Sequence, residues 1–178
     1  MPTTLLLDKE EMTRILERLA CEVLERHGQC ERVMLVGIER RGADLARRLS
    51  ALMQQKLQRP LPLGTLDINL YRDDWTTMHA RPTIGESNIT TPLDNKNVIL
   101  VDDVLFTGRT IRAALEAILD YGRPRKVELL VLVDRGHREL PIQADYIGRS
   151  VDTRPQEQVD VLLEERDGRD EVLLTAKN

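Results

Sequence analysis

The chain has few of the residues that build disulfide, metal or membrane structures. Its two cysteines, Cys21 and Cys30, give no disulfide framework and form no metal-ligand cluster with the three histidines. No apolar run approaches the roughly 18 residues that span a bilayer. The start of the chain, MPTTLLLDKEE, turns acidic after three leucines and lacks the basic region of a signal peptide. We therefore expect a soluble, cytoplasmic protein with no membrane partner.

Aromatic residues and net positive charge are also scarce. Aromatics make up 3% of the 178 residues, so Leu, Ile, Val and Ala must build the core. The 26 basic and 30 acidic side chains leave a net charge of −4, which argues against a general basic coat for nucleic acid but permits a local basic face. The length and the 41% apolar content predict one medium-sized domain over residues 1–178.

Helical periodicity alternates with continuous apolar runs along most of the chain. Asp8 and Glu11 have the spacing of a helix start, and Gly28 ends that helix. Further helices are predicted at 42–59 and 108–121, and strands at 32–38, 63–71, 98–101 and 127–133. Short strand-like pieces follow at 146–147, 159–163 and 172–174, with a hairpin signal at Asp167-Gly168. Apolar strands between amphipathic helices predict an α/β fold with a mostly parallel sheet.

One stretch, from about 72 to 96, has little apolar periodicity and is rich in Asp, Thr, Ser, Asn, Pro and Gly. A polar segment of about 25 residues inside a compact domain is typical of a lid, a hairpin with a mobile tip, or disorder. We expect it to act as a flexible lid loop.

The segment Val98–Thr110 carries the clearest chemical signal. Four apolar residues run directly into Asp102 and Asp103, and the turn TGRT then opens a helix. Ligands bind at the carboxyl ends of strands in open α/β sheets, and a helix N-terminus suits a phosphate. The two carboxylates would repel that phosphate, whereas a vicinal diol offers them two donors. Phosphate beside a diol indicates a ribose 5-phosphate, although the acidic pair alone also fits a helix cap or a different Mg²⁺ site.

The whole thirteen-residue string resembles the 5-phosphoribosyl-1-pyrophosphate (PRPP) signature of the type I phosphoribosyltransferases. Two further strings, DRGHRELPI at 134–142 and ADYIG at 144–148, resemble the hood of the PyrR family within that group. The strings VGIERRG at 36–42 and DINLYRDD at 67–74 fit that family's pyrophosphate loop and the strand entering its lid. The resemblance implies the type I phosphoribosyltransferase fold, with a small C-terminal hood at about 134–178.

The PyrR resemblance also implies an activity and a set of site residues. Members are pyrimidine-operon regulators with uracil phosphoribosyltransferase activity, which converts uracil and PRPP to UMP and pyrophosphate with Mg²⁺. Asp102, Asp103 and Arg41 would be catalytic, and the two aspartates would also reach Mg²⁺. The residues that would hold PRPP or UMP are Arg40, Arg41, Gly42, Asp102, Asp103, Val104, Leu105, Phe106, Thr107, Gly108, Arg109 and Thr110.

Other residues receive roles by position in the family pattern. Asp134, Arg135 and Val159 are the candidates for reading uracil, and Arg72 and Arg81 for following the pyrophosphate as the lid closes. We expect Trp75, Met78 and His79 to pack at a subunit contact of a homodimer or higher homo-oligomer, and His137 to be a surface or helix-end histidine.

RNA binding has mixed support in the sequence. Family members that attenuate transcription bind the pyrimidine-operon leader RNA through a basic face that includes the first helix and the hood. Arg138 and Arg149 are present in the hood, whereas Gln143 stands where members often carry Arg. The first helix presents Glu17, Cys21 and Glu25 on one ridge, and residues 8–32 hold seven acidic and five basic side chains.

Three functions therefore remain open from the sequence. The chain is a uracil phosphoribosyltransferase that also attenuates transcription in response to UMP, the enzyme alone, or a regulator with vestigial catalysis that senses UMP. The intact acidic pair and Arg41 argue against the third. A purine phosphoribosyltransferase is the alternative enzyme, and the hood strings disfavour it.

Overall fold

The computed structural model describes residues 3–73 and 86–176 and has a five-stranded parallel sheet at its centre. The chain opens with β1 (Thr3–Leu7), and the central strands are β2 (Val33–Ile38), β3 (Leu63–Leu66), β4 (Asn97–Leu105), β5 (Lys126–Asp134) and β6 (Tyr146–Ser150). Their order is β3-β2-β4-β5-β6, and every neighbouring pair is parallel. The predicted α/β fold with a parallel sheet is confirmed.

Three helices cover the two faces of this sheet: α1 (Lys9–His27), α2 (Arg41–Leu57) and α3 (Arg109–Ile118). Within β4, Ile99 and Val101 belong to the core under α1 and α2, while Val98 and Leu100 belong to the core under α3. Alternate residues of the strand therefore face opposite helical layers, which explains why its sequence is a continuous apolar run. The predicted start of α1 is also confirmed, since Asp8 Oδ1 accepts from the Glu11 amide at 2.8 Å and Glu11 Oε2 accepts from the Asp8 amide at 3.0 Å.

Two elements end three or more residues earlier than the sequence predicts. The strand expected over 63–71 stops at Leu66, and Asn69–Tyr71 form a short 3-10 turn. Asp67 explains the break, because its Oδ1 accepts from the Asn69 amide at 2.8 Å, a local side-chain bond that competes with strand pairing. The helix expected to reach residue 121 ends at Ile118 and continues as a 3-10 turn to Tyr121.

A second, three-stranded antiparallel sheet forms most of the hood. Its strands are β7 (Glu157–Leu162), β8 (Glu171–Ala176) and the N-terminal β1, in the order β1-β8-β7. The predicted hood boundaries therefore need correction, since β1 belongs to this sheet and β6 belongs to the central one. The Asp167-Gly168 signal does lie in the connection of an antiparallel pair, but the connection is long and contains one helical turn, α4 (Glu164–Asp167).

The C-terminal part of the segment 72–96, which the sequence predicts to be a lid, is paired with the rest of the domain. The Asn88 amide donates to the Thr65 carbonyl at 2.8 Å, the Thr65 amide donates back at 3.0 Å, and Leu93 is fully buried. Residues 86–96 are therefore fastened to the domain by β3 and by the core. The expectations for Trp75, Met78, His79 and Arg81 fall outside the described residues. Over the parts of the chain that are described, no helix is long and apolar enough to cross a membrane.

Candidate active site

The acidic pair lies within the last part of β4, at the carboxyl end of the central sheet. The strand runs to Leu105, four residues beyond the end predicted from its apolar run, because Asp102 and Val104 keep their parallel register with Val131 and Val133 of β5. Asp102 Oδ1 accepts from the Asp103 amide and Asp103 Oδ1 accepts from the Val104 amide, each at 2.9 Å. Both carboxylates are thus held close to the backbone at the strand end, where ligands bind in such sheets.

The two aspartates differ in how deeply their side chains are buried. Asp102 is buried, whereas Asp103 is half-buried. Burial, and then the charge of Asp103, raises the pKa of Asp102 well above its usual range. An ionised Asp102 is therefore costly in the ligand-free protein, and a cation or a pair of hydroxyl donors beside it would relieve that cost.

The residues after the acidic pair surround a cavity of about 320 Å³. It is lined by Arg72, Asp73 and the continuous run from Val104 to Ile111. Gly108 has φ +91°, a conformation that favours glycine, and it turns the chain into the N-terminus of α3. The predicted phosphate-binding segment 104–110 therefore forms one concave loop at a helix start, as a phosphate site requires.

Residues 39–42 lead from the end of β2 into the first turn of α2 and lie against the acidic strand; they are called the pyrophosphate loop here, after the role that the family resemblance implies. Its Glu39–Arg40 peptide is cis. A Cβ on Gly42 would lie 2.4 Å from the Val101 carbonyl oxygen and 3.1 Å from Asp102 Cα, so only glycine lets the loop approach this closely. Arg40 is exposed, whereas the half-buried Arg41 side chain donates from Nη2 to both carboxylate oxygens of Asp167 at 3.2 and 3.3 Å.

The hood segment is joined to the phosphate loop through the backbone. The Arg135 amide donates to the Leu105 carbonyl at 3.1 Å, and the Glu139 and Leu140 amides both donate to the Thr107 carbonyl. Residues 134–140 are therefore fastened to the loop that would hold the 5-phosphate.

The side chains of Asp134 and Arg135 make their hydrogen bonds within the hood segment. Arg135 is buried, lies over the Phe106 ring at 3.9 Å, and donates to the Glu157 carbonyl at 2.6 Å; burial lowers its pKa. Asp134 accepts from the Arg138 guanidinium at 2.5 Å and from the Gly136 amide at 3.0 Å. Of the predicted uracil contacts, these two border the phosphate loop.

Val159 is placed differently from the other two uracil candidates. It lies in β7, is 7% exposed and belongs to the core packed under α1 and α2. It is not among the residues that line the cavity in the described part of the chain.

The two arginines predicted to bind RNA also differ. Arg138 donates to the carbonyls of Ile142 and Phe106, both at 2.9 Å, in addition to its bond with Asp134. Arg149 has a 43% exposed side chain and donates to the Leu6 carbonyl at 2.7 Å. Arg138 therefore holds the hood segment together, while Arg149 is more exposed and also lies 3.8 Å from a Glu11 carboxylate oxygen.

Sequence reasoning missed two acidic residues of the site, Asp73 and Asp167. Asp73 lines the cavity and pairs with Arg109 at 3.0 Å and Arg112 at 2.8 Å. Asp167 reaches Arg41 from 126 positions away. Neither stands in a motif that signals its partner, although Asp73 lies within the string 67–74 that resembles the lid-entry strand.

Comparison with known proteins agrees with this geometry. The phosphoribosyl transferase domain family matches residues 3–164. "Bifunctional protein PyrR" of Syntrophobacter fumaroxidans is 51% identical over 168 residues, covering 94% of this chain and 90% of the relative. The protein of that name from Enterococcus faecalis is 47% identical over 178 residues, covering 100% and 99%.

Solved structures agree on the fold. The hypoxanthine phosphoribosyltransferase of Trypanosoma cruzi superposes with a TM-score of 0.73 at 13% identity, covering 98% of this chain and 97% of that one. The enzyme of the same name from Staphylococcus aureus gives 0.66 at 22% identity, covering 98% and 92%. The type I phosphoribosyltransferase fold is thereby confirmed, and the chain belongs to the phosphoribosyl transferase domain family and, within it, to the PyrR family of bifunctional proteins.

Proposed function

We propose that the protein transfers the phosphoribosyl group of PRPP to uracil, giving UMP and pyrophosphate. The observation that carries the proposal is the acidic pair at the end of β4, which lies between the concave loop 104–110 and the pyrophosphate loop 39–42. This arrangement supports a phosphate site, a pair of diol acceptors and a second anion site along one strand end, which are the groups that PRPP needs.

Each residue has a limited task in this reaction. Asp102 and Asp103 accept the ribose hydroxyls, and the amides and hydroxyls of 106–110 hold the 5-phosphate. Arg41 and the loop backbone receive the pyrophosphate, on which charge builds as its bond to the anomeric carbon breaks. The anomeric carbon gains oxocarbenium character, a uracil ring nitrogen attacks it, and the nitrogen loses its proton. Positioning and charge stabilisation therefore account for the protein's part.

The residues also fit Mg²⁺, which phosphoribosyltransferases generally use with PRPP. No cluster of three or more His, Cys, Asp or Glu ligands exists in the described ranges 3–73 and 86–176. Mg²⁺ does not need one, because it is commonly held by one or two carboxylates together with substrate oxygens and water. Asp102 and Asp103 would supply those carboxylates, and the ion would neutralise charge on the leaving pyrophosphate.

Uracil is small and polar at its edges, so backbone groups suffice to read it. The backbone of Asp134 and Arg135 is the best candidate, since Asp134 ends β5 and Arg135 follows it, directly beside the phosphate loop. We do not extend this role to Val159, whose side chain is packed in the core.

A substrate assay tests the activity. With PRPP and Mg²⁺, we expect uracil to give UMP and pyrophosphate. Chromatography of the nucleotide product measures this conversion. Hypoxanthine and guanine are the control substrates, because the superposable hypoxanthine enzymes share the fold at low identity. Formation of IMP or GMP with no UMP would make the pyrimidine assignment wrong.

The PyrR relatives are named bifunctional, and we propose that the second function here is UMP-responsive binding of pyrimidine-operon leader RNA. A concave surface of about 280 Å³ between α1 and β6 supports this proposal. It is lined by Arg14, Arg18 and Arg149 together with Leu7, Glu11 and Ile15. The three arginine side chains are 64%, 45% and 43% exposed, and each is paired with a glutamate (Glu10, Glu22 and Glu11) at 2.5 to 3.8 Å, so RNA phosphates would have to replace these partners.

Removing charge from this face should weaken RNA binding and flatten its salt dependence. Each lost phosphate contact lowers the salt slope by about 0.7 for a single strand and about 0.9 for a duplex, so the double variant Arg14→Gln/Arg149→Gln should lose about 1.4 to 1.8. Gel-shift titrations of leader RNA over a range of salt, with and without UMP, measure both quantities. Arg125→Gln is the matched control, since this exposed arginine precedes β5 at the opposite end of the sheet. Equal salt slopes for the double variant and wild type would contradict the assignment of this face.

A further inference from the structure

The hood turn α4 contacts the pyrophosphate loop through two adjacent residues. Arg166 donates from Nη2 to the Arg40 carbonyl at 3.3 Å and from Nε to Asp44, in the first turn of α2. Asp167 accepts both hydrogen bonds from Arg41 Nη2. The turn α4 therefore holds the pyrophosphate loop at two points, the loop's Arg40 carbonyl and the loop's half-buried Arg41 side chain.

The turn is itself fixed in place from both sides. Asp167 Oδ2 accepts from the Leu163 amide at 2.9 Å, and Asp170 Oδ1 accepts from the Glu164 amide at 2.8 Å. Arg48 of α2 binds Asp170 at 2.7 Å and Glu165 at 2.5 Å. A carboxylate anchored in this way can hold a guanidinium in one orientation, which a mobile surface aspartate cannot do.

The ion pair between Arg41 and Asp167 leaves part of the Arg41 guanidinium for a further hydrogen-bond acceptor. Both bonds to Asp167 come from Nη2, so Nη1 and Nε lie outside the pair. Nε is buried and has no hydrogen-bond partner in the described part of the chain. A buried guanidinium donor without an acceptor is costly, so its environment favours an arriving anion.

We infer that Asp167 is a positioning residue for the pyrophosphate of PRPP, which it serves by holding Arg41 in the orientation that receives this group. The inference rests on the proposed function, since it concerns the same loop and the same substrate. Asp167 touches no substrate atom in this scheme. It fixes Arg41 before binding, so that less side-chain entropy is lost when pyrophosphate arrives.

Asp167→Asn tests the inference while preserving the turn, because the amide oxygen can still accept from the Leu163 amide. We expect KM for PRPP to rise about 3- to 10-fold with kcat within about twofold. Inhibition by pyrophosphate should weaken by the same factor. Affinity for UMP, which lacks the pyrophosphate, should be unchanged. Glu164→Gln on the same turn is the matched control, since that carboxylate pairs with the exposed Lys9 at 3.7 Å and is 56% exposed itself.

A double-mutant cycle separates positioning from a general effect on the hood. In an Arg41→Gln background there is no guanidinium to orient, so adding Asp167→Asn should change pyrophosphate inhibition less than about twofold. The same loss in both backgrounds would overturn the inference. So would an unchanged or lower KM for PRPP in Asp167→Asn, because Asp167 would then only compete for Arg41.

Direct calorimetry of PRPP with Mg²⁺ and no uracil distinguishes the two proposals. If wild type binds PRPP but does not convert uracil, the activity assignment fails, and the Asp167→Asn effect is read from the Kd for PRPP. If wild type binds no PRPP, the activity and the role of Asp167 are both overturned.

Discussion

Asparagine at position 102 or 103 should lower kcat/KM for PRPP by about 100-fold or more, equivalent to about 2.7 kcal/mol of transition-state stabilisation. An amide has one acceptor oxygen where the carboxylate has two, and it cannot neutralise Mg²⁺. Asp102 and Asp103 are both held by backbone amides near the end of β4, and asparagine can keep that hydrogen bond while it loses the charge. Initial rates with PRPP varied at saturating uracil and Mg²⁺ measure the loss.

Thermal unfolding is the control for this loss. The pKa of Asp102 is raised in the fold, so its ionised form is less stable there than in the unfolded chain. At neutral pH the charge therefore costs stability, and Asp102→Asn should have a Tm equal to or above that of wild type. The gain should disappear as the pH falls below the ordinary aspartate pKa of about 3.9, where both states are protonated. Wild-type rates in both asparagine variants would contradict the assignment of the acidic pair.

Much of the central architecture follows from local pattern in the sequence. Residues 98–101 read as a strand buried on both faces, and they alternate between the two helical layers. The start of α1 depends only on Asp8 and Glu11, which lie three residues apart and need no tertiary context. The acidic pair and the loop 104–110 were also predictable, because strand, carboxylates and helix start are contiguous.

The remaining features depend on contacts between distant parts of the chain. β1 is short and exposed over Thr3–Leu5, and only pairing with β8, about 170 residues away, makes it a strand. Arg138 is a candidate RNA-binding residue in the sequence. In the structure, its guanidinium donates hydrogen bonds to the carbonyls of Phe106 and Ile142. Charge alone does not reveal whether an arginine faces solvent or fastens a loop.

Gly42→Ala should impair both stability and catalysis. Gly42 is in the first turn of α2, where helix propensity alone would favour alanine by up to about 1 kcal/mol. Its Cβ would, however, lie 2.4 Å from the Val101 carbonyl oxygen, which belongs to the central strand and cannot give way. Overpacking of this kind costs about 1–3 kcal/mol, so the steric effect should exceed the propensity gain and lower the Tm.

The same displacement should separate Arg41 from the acidic pair. Since a shift of about 1 Å in a catalytic group can cost 100-fold, kcat/KM for PRPP should fall by about 10- to 100-fold. Gly64→Ala in β3 is the graded control: its Cβ would meet the Asn88 carbonyl oxygen, Ile89 Cγ1 and Met34 Cε, all at 3.1 Å, which is 0.7 Å farther than the nearest contact of a Cβ at Gly42. Gly64→Ala should lose less stability and keep kcat/KM within about twofold. If Gly42→Ala and Gly64→Ala had equal Tm and equal kcat/KM for PRPP, the close packing of the pyrophosphate loop on β4 would not be what positions Arg41.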